Sequence, residues 1–167
     1  AIKQANQFRI VQSGQKLAGM LVFLTDVHSM GLDIAQGLQF TTAFVWNQNE
    51  ETTAWSNRFN ERHGAMPTMV QAGVYSAVTN YLNAVKETGT DDTETVRAKL
   101  GEMTLNDIFV KGGKIAPNGS MLHDMYLVEV KKPSESKSEW DLLKVISKIP
   151  ADQAYISMAD TKCSLVN

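Results

Sequence analysis

Eight consecutive residues, Leu17–Leu24 (LAGMLVFL), set the terms for what this chain can fold into. The run is apolar, far too short to span a membrane, and interrupted only by Gly19. It predicts a strand of a parallel sheet covered on both faces. Before it, residues 1–12 carry Ile2, Ala5 and Phe8 at helical spacing, and the polar turn Gln12–Lys16, with Gly14 as its breaker, joins the two. Helix, turn and buried strand together make an α/β unit. The segment Thr25–Gly31 follows at the strand's C-terminal end, which is where open α/β sheets gather ligands.

The opening helix has no N-cap residue and no initiator Met ahead of it. Helix starts leave backbone N–H groups that need partners, so the expectation is the C-terminal part of a longer protein. A ligand site made by two halves would then be half present. The opening helix and the Leu17–Leu24 strand would lack neighbours, leaving an exposed apolar patch or an open strand edge.

Further along, Asp33–Gly37 reads as a short helical turn and Leu38–Trp46 (LQFTTAFVW) as a second strand. Asn47 and Glu50 have capping-box spacing ahead of a helix over Glu50–His63, with Trp55 and Phe59 on one face and Gly64 as its stop. Pro67 opens a helix over Thr68–Lys86 whose apolar stripe is Val70, Val74, Ala77, Val78, Tyr81, Leu82 and Val85, ended by Gly89. Asp91 and Glu94 form a second capping-box pair before a helix running through Val96 and Leu100 to Gly101. Strands are predicted at Asn106–Val110, Lys114–Ala116, His123–Lys131 and Trp140–Ile149, with Gly112-Gly113 and Asn118-Gly119 as turns. Pro133–Ser138 is a solvated loop, and the tail from Pro150 is irregular.

Composition removes several function classes. A hydrophobic share of 43% and a charged share of 20% are globular values. A net charge of -2 with scattered Lys and Arg offers no basic stripe for nucleic acid. His28, His63 and His123 form no i, i+4 pair, and a single cysteine, Cys163, excludes an internal disulfide and any multi-cysteine zinc site. His63 sits at a helix C-terminus, where the dipole favours it; His123 starts a strand and is expected to be exposed. Gly112-Gly113 lacks the strand–helix frame of a phosphate loop, and no cofactor or metal is implied.

Five segments taken in order resemble the C-terminal half of type I periplasmic solute-binding proteins of ABC importers, the branched-chain amino-acid binding group. They are AIKQANQFRI, GLDIAQGLQFTTAFVW, PTMVQAGVYSAVTNYLNAVKETGT, DDTETVRAKLGEM and IFVKGGKIAPNGSMLHDMYLVEVKKP. The resemblance implies an α/β fold of two Rossmann-like lobes joined by three crossing strands, with only the C-terminal part present. Residues 1–43 would belong to the second lobe, 44–104 would return to the first, and 105–167 would rejoin the second lobe and hinge as hairpin, strands and tail. It also implies a non-catalytic, extracytoplasmic protein, exported by a signal peptide that this chain lacks. Such a protein closes over a small amino acid or organic acid and hands it to a membrane permease. The missing N-terminal portion would be its partner in the fold, and Cys163 would pair with a cysteine there or stay a buried or free thiol. The alternative is a ligand-sensing regulatory domain of the same fold.

The resemblance also places the site. Thr25, Asp26 and His28 match the loop where, in the amino-acid binders, an acidic residue meets the ligand's ammonium. Here aspartate stands where glutamate is common. The residues themselves leave a second reading open, in which Asp26 caps the turn Val27–Gly31. Asp26 and His28 also have the chemistry of an acid/base pair, but no nucleophile or G-x-S-x-G turn accompanies them. Trp46 ends a predicted crossing strand, where it either lines the cleft or packs in the core. Tyr75 lies in the helix that resembles the family's hinge-proximal segment.

Overall fold

The computed structural model describes residues 1–162 and 164; Cys163, and with it every expectation about its thiol, lies outside the described residues. The chain divides into two compact units: residues 1–69 with 126–148, and residues 70–125 with the tail from Ile149.

Unit 1 is built on a four-stranded sheet. Helix α1 (Ile2–Gln7) leads to β1 (Leu17–Gly19), then come α2 (Leu24–Met30), α3 (Leu32–Ala35) and β2 (Leu38–Thr42). Helix α4 (Glu50–His63) follows, and the sheet is completed by β6 (Met125–Val130) and β7 (Leu143–Ile149), in the order β1-β2-β6-β7. β1 runs parallel to β2, Leu17 opposite Leu38, and β2 antiparallel to β6, Phe40 opposite Val128. The sheet is therefore mixed.

The apolar run Leu17–Leu24 does not form one strand. β1 stops at Gly19 because the chain turns sharply there: a Cβ on Gly19 would lie 2.4 Å from Cγ2 of Val22. Met20 and Leu21 are thrown outward, 97% and 71% exposed, while Val22 and Leu24 turn back into the core. The core gathers Val22, Leu24, Val27, Ala35, Leu38, Phe40, Val45, Met66, Val128, Val130, Leu142 and Leu143, all from unit 1. Each large apolar side chain buried there contributes roughly 1.5–3 kcal/mol. Trp55 is buried as expected, edge-on to Phe44 and stacked on Phe59. Phe8 is exposed, so α1 contributes Ile2 but not its whole predicted stripe.

Glu129 fastens the sheet across its strands. Its carboxylate accepts from Gln39 Nε2 of β2 at 2.6 Å and pairs with Lys16 at 3.3 Å and Lys144 of β7 at 3.0 Å. The Gln39 amide, aided by the two ammoniums against the cost of burial, holds the Glu129 carboxyl down at about 2.

Unit 2 contains most of α5 (Met69–Thr88), α6 (Thr93–Glu102), a three-stranded sheet of β3 (Leu105–Asn106), β4 (Lys111–Ile115) and β5 (Met121–Leu122), and α7 (Ala151–Ala154). Both predicted capping pairs are displaced along the chain. Asn49 caps α4 by accepting from the Thr52 N–H at 2.9 Å, and Asp92 caps α6 by accepting from the Thr95 N–H at 3.0 Å. In each case Thr rather than Glu fills the N3 position. Gly112-Gly113 is not a turn: it sits inside β4, where the ladder with β3 shifts register. Asn118-Gly119 does turn, with Gly119 at φ +83°. The predicted strand Asn106–Val110 ends early because the Asp107 carboxylate folds the chain, accepting from the N–H groups of Phe109 and Val110.

The helix α5 is inverted relative to its predicted stripe. Its inward face is Ala72, Ser76, Asn80 and Ala84, four residues apart. Val74, Val78 and Leu82 are 60%, 53% and 57% exposed. Asp107 is the physical cause: Ser76 Oγ and Asn80 Nδ2 donate to its Oδ2 at 2.6 and 2.7 Å, so the polar face must turn inward to satisfy the carboxylate. The small side chains on that face allow the close approach. His123 is half-buried rather than exposed, its Nε2 accepting from the Tyr155 hydroxyl and its Nδ1–H donating to the Asp124 carbonyl.

Candidate functional site

The segment after β1 becomes α2, a seven-residue helix whose first turns carry Thr25, Asp26 and His28. Val27 is wholly buried and Leu24 nearly so, which anchors the helix and leaves its other side facing outward. Asp26 is the third helical residue. Its Oδ2 accepts from the Phe23 N–H at 2.8 Å, one of the helix-start donors that would otherwise lack a partner. The carboxylate is exposed. Capping engages one oxygen and leaves Oδ1 with no protein donor among the described residues. Thr25 is half-buried beside it.

His28 reaches a different corner. Its ring stacks on Trp140 with centroids 3.9 Å apart and planes 7° from parallel, and its Nε2 lies 2.9 Å from Glu139 Oε1. Trp46 Nε1 donates to the Trp140 carbonyl at 2.9 Å. Two of the predicted residues, separated by eighteen positions, are thus brought together by a third aromatic that sequence reasoning placed at the start of a strand. Trp140 instead lies in the turn before β7. Beneath it, Asp141 accepts from Lys131 Nζ at 2.6 Å, Asn47 Nδ2 at 3.3 Å and the Lys137 N–H. Burial pushes the Asp141 carboxyl up, but the Lys131 ammonium and these donors outweigh it and hold the group below the usual carboxylate range.

Tyr75 belongs to unit 2, on α5, where it is exposed. Sequence reasoning missed Trp140 and Glu139, whose role depends on pairings across 111 residues and more that no local pattern signals. It also missed Met20 and Leu21, read as core but exposed at the end of β1. No group of three or more His, Cys, Asp or Glu side chains that could hold a metal is present among the described residues. Likewise, among the described residues no helix is long and apolar enough to cross a membrane.

A family profile described as periplasmic binding protein matches residues 1–137. The chain belongs to the periplasmic binding protein family. A periplasmic binding protein from Burkholderia mallei is 45% identical, with a TM-score of 0.91 over 99% of this chain and 44% of its own. A branched-chain amino acid ABC transporter periplasmic ligand-binding protein from Burkholderia xenovorans LB400 is 38% identical, with a TM-score of 0.93 and the same coverage. A solute-binding protein of an ABC transporter from Rhodopseudomonas palustris BisB5, solved with 3,4-dihydroxybenzoic acid, shares the fold at 20% identity and a TM-score of 0.74. No curated protein matches the chain. The chain spans less than half the length of the solved structures it matches. Its fold is thus part of a type I periplasmic-binding fold, and the family is a non-enzymatic component of transport.

Proposed function

We propose that this chain is part of an extracytoplasmic solute-binding protein of an ABC importer, which closes over a small amino acid or organic acid and delivers it to a membrane permease. The remaining portion of the fold, corresponding to the length its relatives have beyond this chain, supplies the opposing lobe, and a signal peptide directs export. The single observation that supports this is the pair of Burkholderia relatives, which share more than a third of their matched residues with this chain and nearly all of its backbone path.

Within that reading, Asp26, Thr25 and His28 form the ligand-facing edge of unit 1, with Trp46 linked to His28 through Trp140; Tyr75, on α5 of unit 2, is proposed as a separate ligand residue. The position supports it: α2 begins at the C-terminal end of β1, whose neighbour β2 runs parallel. The chemistry supports it as well. An exposed carboxylate with one uncommitted oxygen suits a ligand ammonium, and Met20 and Leu21, exposed in the bend ahead of α2, suit an apolar side chain.

The cap and the ligand role can be separated. Asp26→Asn keeps an oxygen for the Phe23 N–H and removes the charge; Asp26→Ala removes both. Calorimetry of the full-length protein against a panel of amino acids and aromatic acids is expected to find an amino-acid ligand. Its binding should weaken by roughly 2–5 kcal/mol in Asp26→Asn, with an unchanged melting temperature. Unchanged affinity in Asp26→Asn removes Asp26 from the site. Binding of organic acids alone moves the assignment to Thr25 and His28 as donors.

A further inference from the structure

Several charges around α6 are spent within the chain. The Asp92 carboxylate accepts from the Thr95 N–H at 3.0 Å and from the Thr95 hydroxyl at 2.7 Å, and Lys99 pairs with Glu87 at 2.7 Å. Two charges of the same stretch are not spent. The carboxylate of Asp91, just ahead of the helix, and the guanidinium of Arg97, in its second turn, have no hydrogen-bond or ion-pair partner among the described residues. They are of opposite sign and line the same hollow, yet they do not pair with each other.

That hollow lies wholly in unit 2 and has a volume of about 570 Å³. Pockets that enclose small molecules run from roughly 300 to 1,000 Å³. Apolar side chains supply much of the rest of the lining: Tyr81 of α5, Val96 and Leu100 of α6, and Ile115 of β4. Val96 is buried, and Tyr81 keeps 43% of its surface exposed, so an aromatic ring is open to contact. This combination limits the occupant. A wholly apolar molecule would cover both charges without pairing them, at a desolvation cost. A simple cation or anion would satisfy one charge and be repelled by the other. A molecule with both charges at one end and an apolar group at the other matches the whole lining.

We propose that this hollow is a binding site in its own right, and that it takes the zwitterion of a free α-amino acid with an apolar side chain. Arg97 meets the ligand carboxylate, whose two oxygens match the planar fork of a guanidinium. Asp91 accepts from the ligand ammonium, and Tyr81, Val96, Leu100 and Ile115 surround the side chain. The occupant follows from charge complementarity and volume together. The site is separate from the α2 segment, which belongs to unit 1, and it stands whether or not the transport reading does.

The test is methyl NMR of the full-length protein titrated with L-phenylalanine. The methyl signals of Val96, Leu100 and Ile115, assigned by substitution, should shift and saturate with a Kd of about 1 mM. N-acetylphenylalanine lacks the ammonium and phenylalaninamide lacks the carboxylate, so each should bind about tenfold more weakly. Arg97→Gln should weaken L-phenylalanine to the level of phenylalaninamide. Asp91→Asn should weaken it to the level of N-acetylphenylalanine. Lys99→Gln, on the same helix but committed to Glu87, should change neither. Methyl signals that do not respond to L-phenylalanine overturn the proposal; that is also the result if other polypeptide fills the hollow. Equal affinity for the three compounds overturns it as well, as does a response that survives both substitutions. Binding of L-phenylalanine by calorimetry with these methyls unmoved assigns the ligand to another site and counts against this one.

Discussion

Unit 1 and unit 2 are made from similar residues and reach opposite outcomes. In unit 1 the apolar side chains of four strands and their helices close on one another around Val128 and Val27, both fully buried. In unit 2 the longest helix turns its valines and a leucine outward and buries serine and asparagine. The difference shows that periodicity identifies a helix face but not the direction in which it points. A single half-buried carboxylate, Asp107, accepts four hydrogen bonds, and the apolar stripe of Val74, Val78 and Leu82 on the same helix stands exposed among the described residues.

The sharpest way to break this comparison is to place the same charge in both units. Val128→Asp should destabilise unit 1 by about 4 kcal/mol or more, because a carboxylate there has no partner and no water. Val78→Asp in the 167-residue chain should stay within about 0.5 kcal/mol. All three tryptophans, Trp46, Trp55 and Trp140, lie in unit 1, so their fluorescence during urea unfolding reports Val128→Asp, while far-UV circular dichroism follows Val78→Asp on the longest helix of unit 2. Similar losses for the two substitutions would show that α5 is covered within the chain after all.

A second substitution tests what inverts α5. Asp107→Ala leaves the Ser76 hydroxyl, the Asn80 amide and two backbone N–H groups without their acceptor, at about 2–4 kcal/mol. Far-UV circular dichroism should register the loss in unit 2 while tryptophan emission stays constant. A shift in that emission would show that the two units do not unfold separately.

The smallest effect is confined to acid and to unit 1. The folded Glu129 carboxyl lies near 2, below its ordinary 4.5, so folding favours its charged form. That stabilisation is complete above the unfolded value and is lost as pH falls through the folded one. Between about pH 5 and pH 2 the group should cost unit 1 on the order of 2–3 kcal/mol. Glu129→Gln should remove most of that slope in tryptophan-monitored unfolding, and an unaltered slope would show that other carboxylates carry it.

Much of the architecture was legible in the chain. The α/β class, the helices near Glu50–His63 and Thr68–Lys86 and the Asn118-Gly119 turn follow from periodicity and from glycine's tolerance of positive φ. The errors share one origin, which is that local pattern cannot see what a residue meets in space. Asn49 and Thr52 cap α4 instead of Asn47 and Glu50 because the chain remains irregular through Asn47. Leu17–Leu24 splits because Val22 occupies the space beside Gly19. Of the site, the sequence reads Thr25–Gly31 as a loop with Asp26 capping the turn Val27–Gly31; it is instead helix α2, in which Asp26, the third residue, accepts from the Phe23 N–H that precedes it. The stack of His28 on Trp140 was not legible either, since it joins residues 112 apart in number that no local pattern connects.

The contact at Gly19 has an evolutionary reading. With Val22 Cγ2 only 2.4 Å from where a Cβ would sit, positions 19 and 22 cannot drift independently. A lineage that acquires alanine at 19 must first have traded Val22 for something smaller, or else move the Met20–Leu21 bend at the mouth of the sheet. Positions 19 and 22 are therefore coupled by sterics, while the exposed side chains of Met20 and Leu21 between them can vary without disturbing the strand behind them.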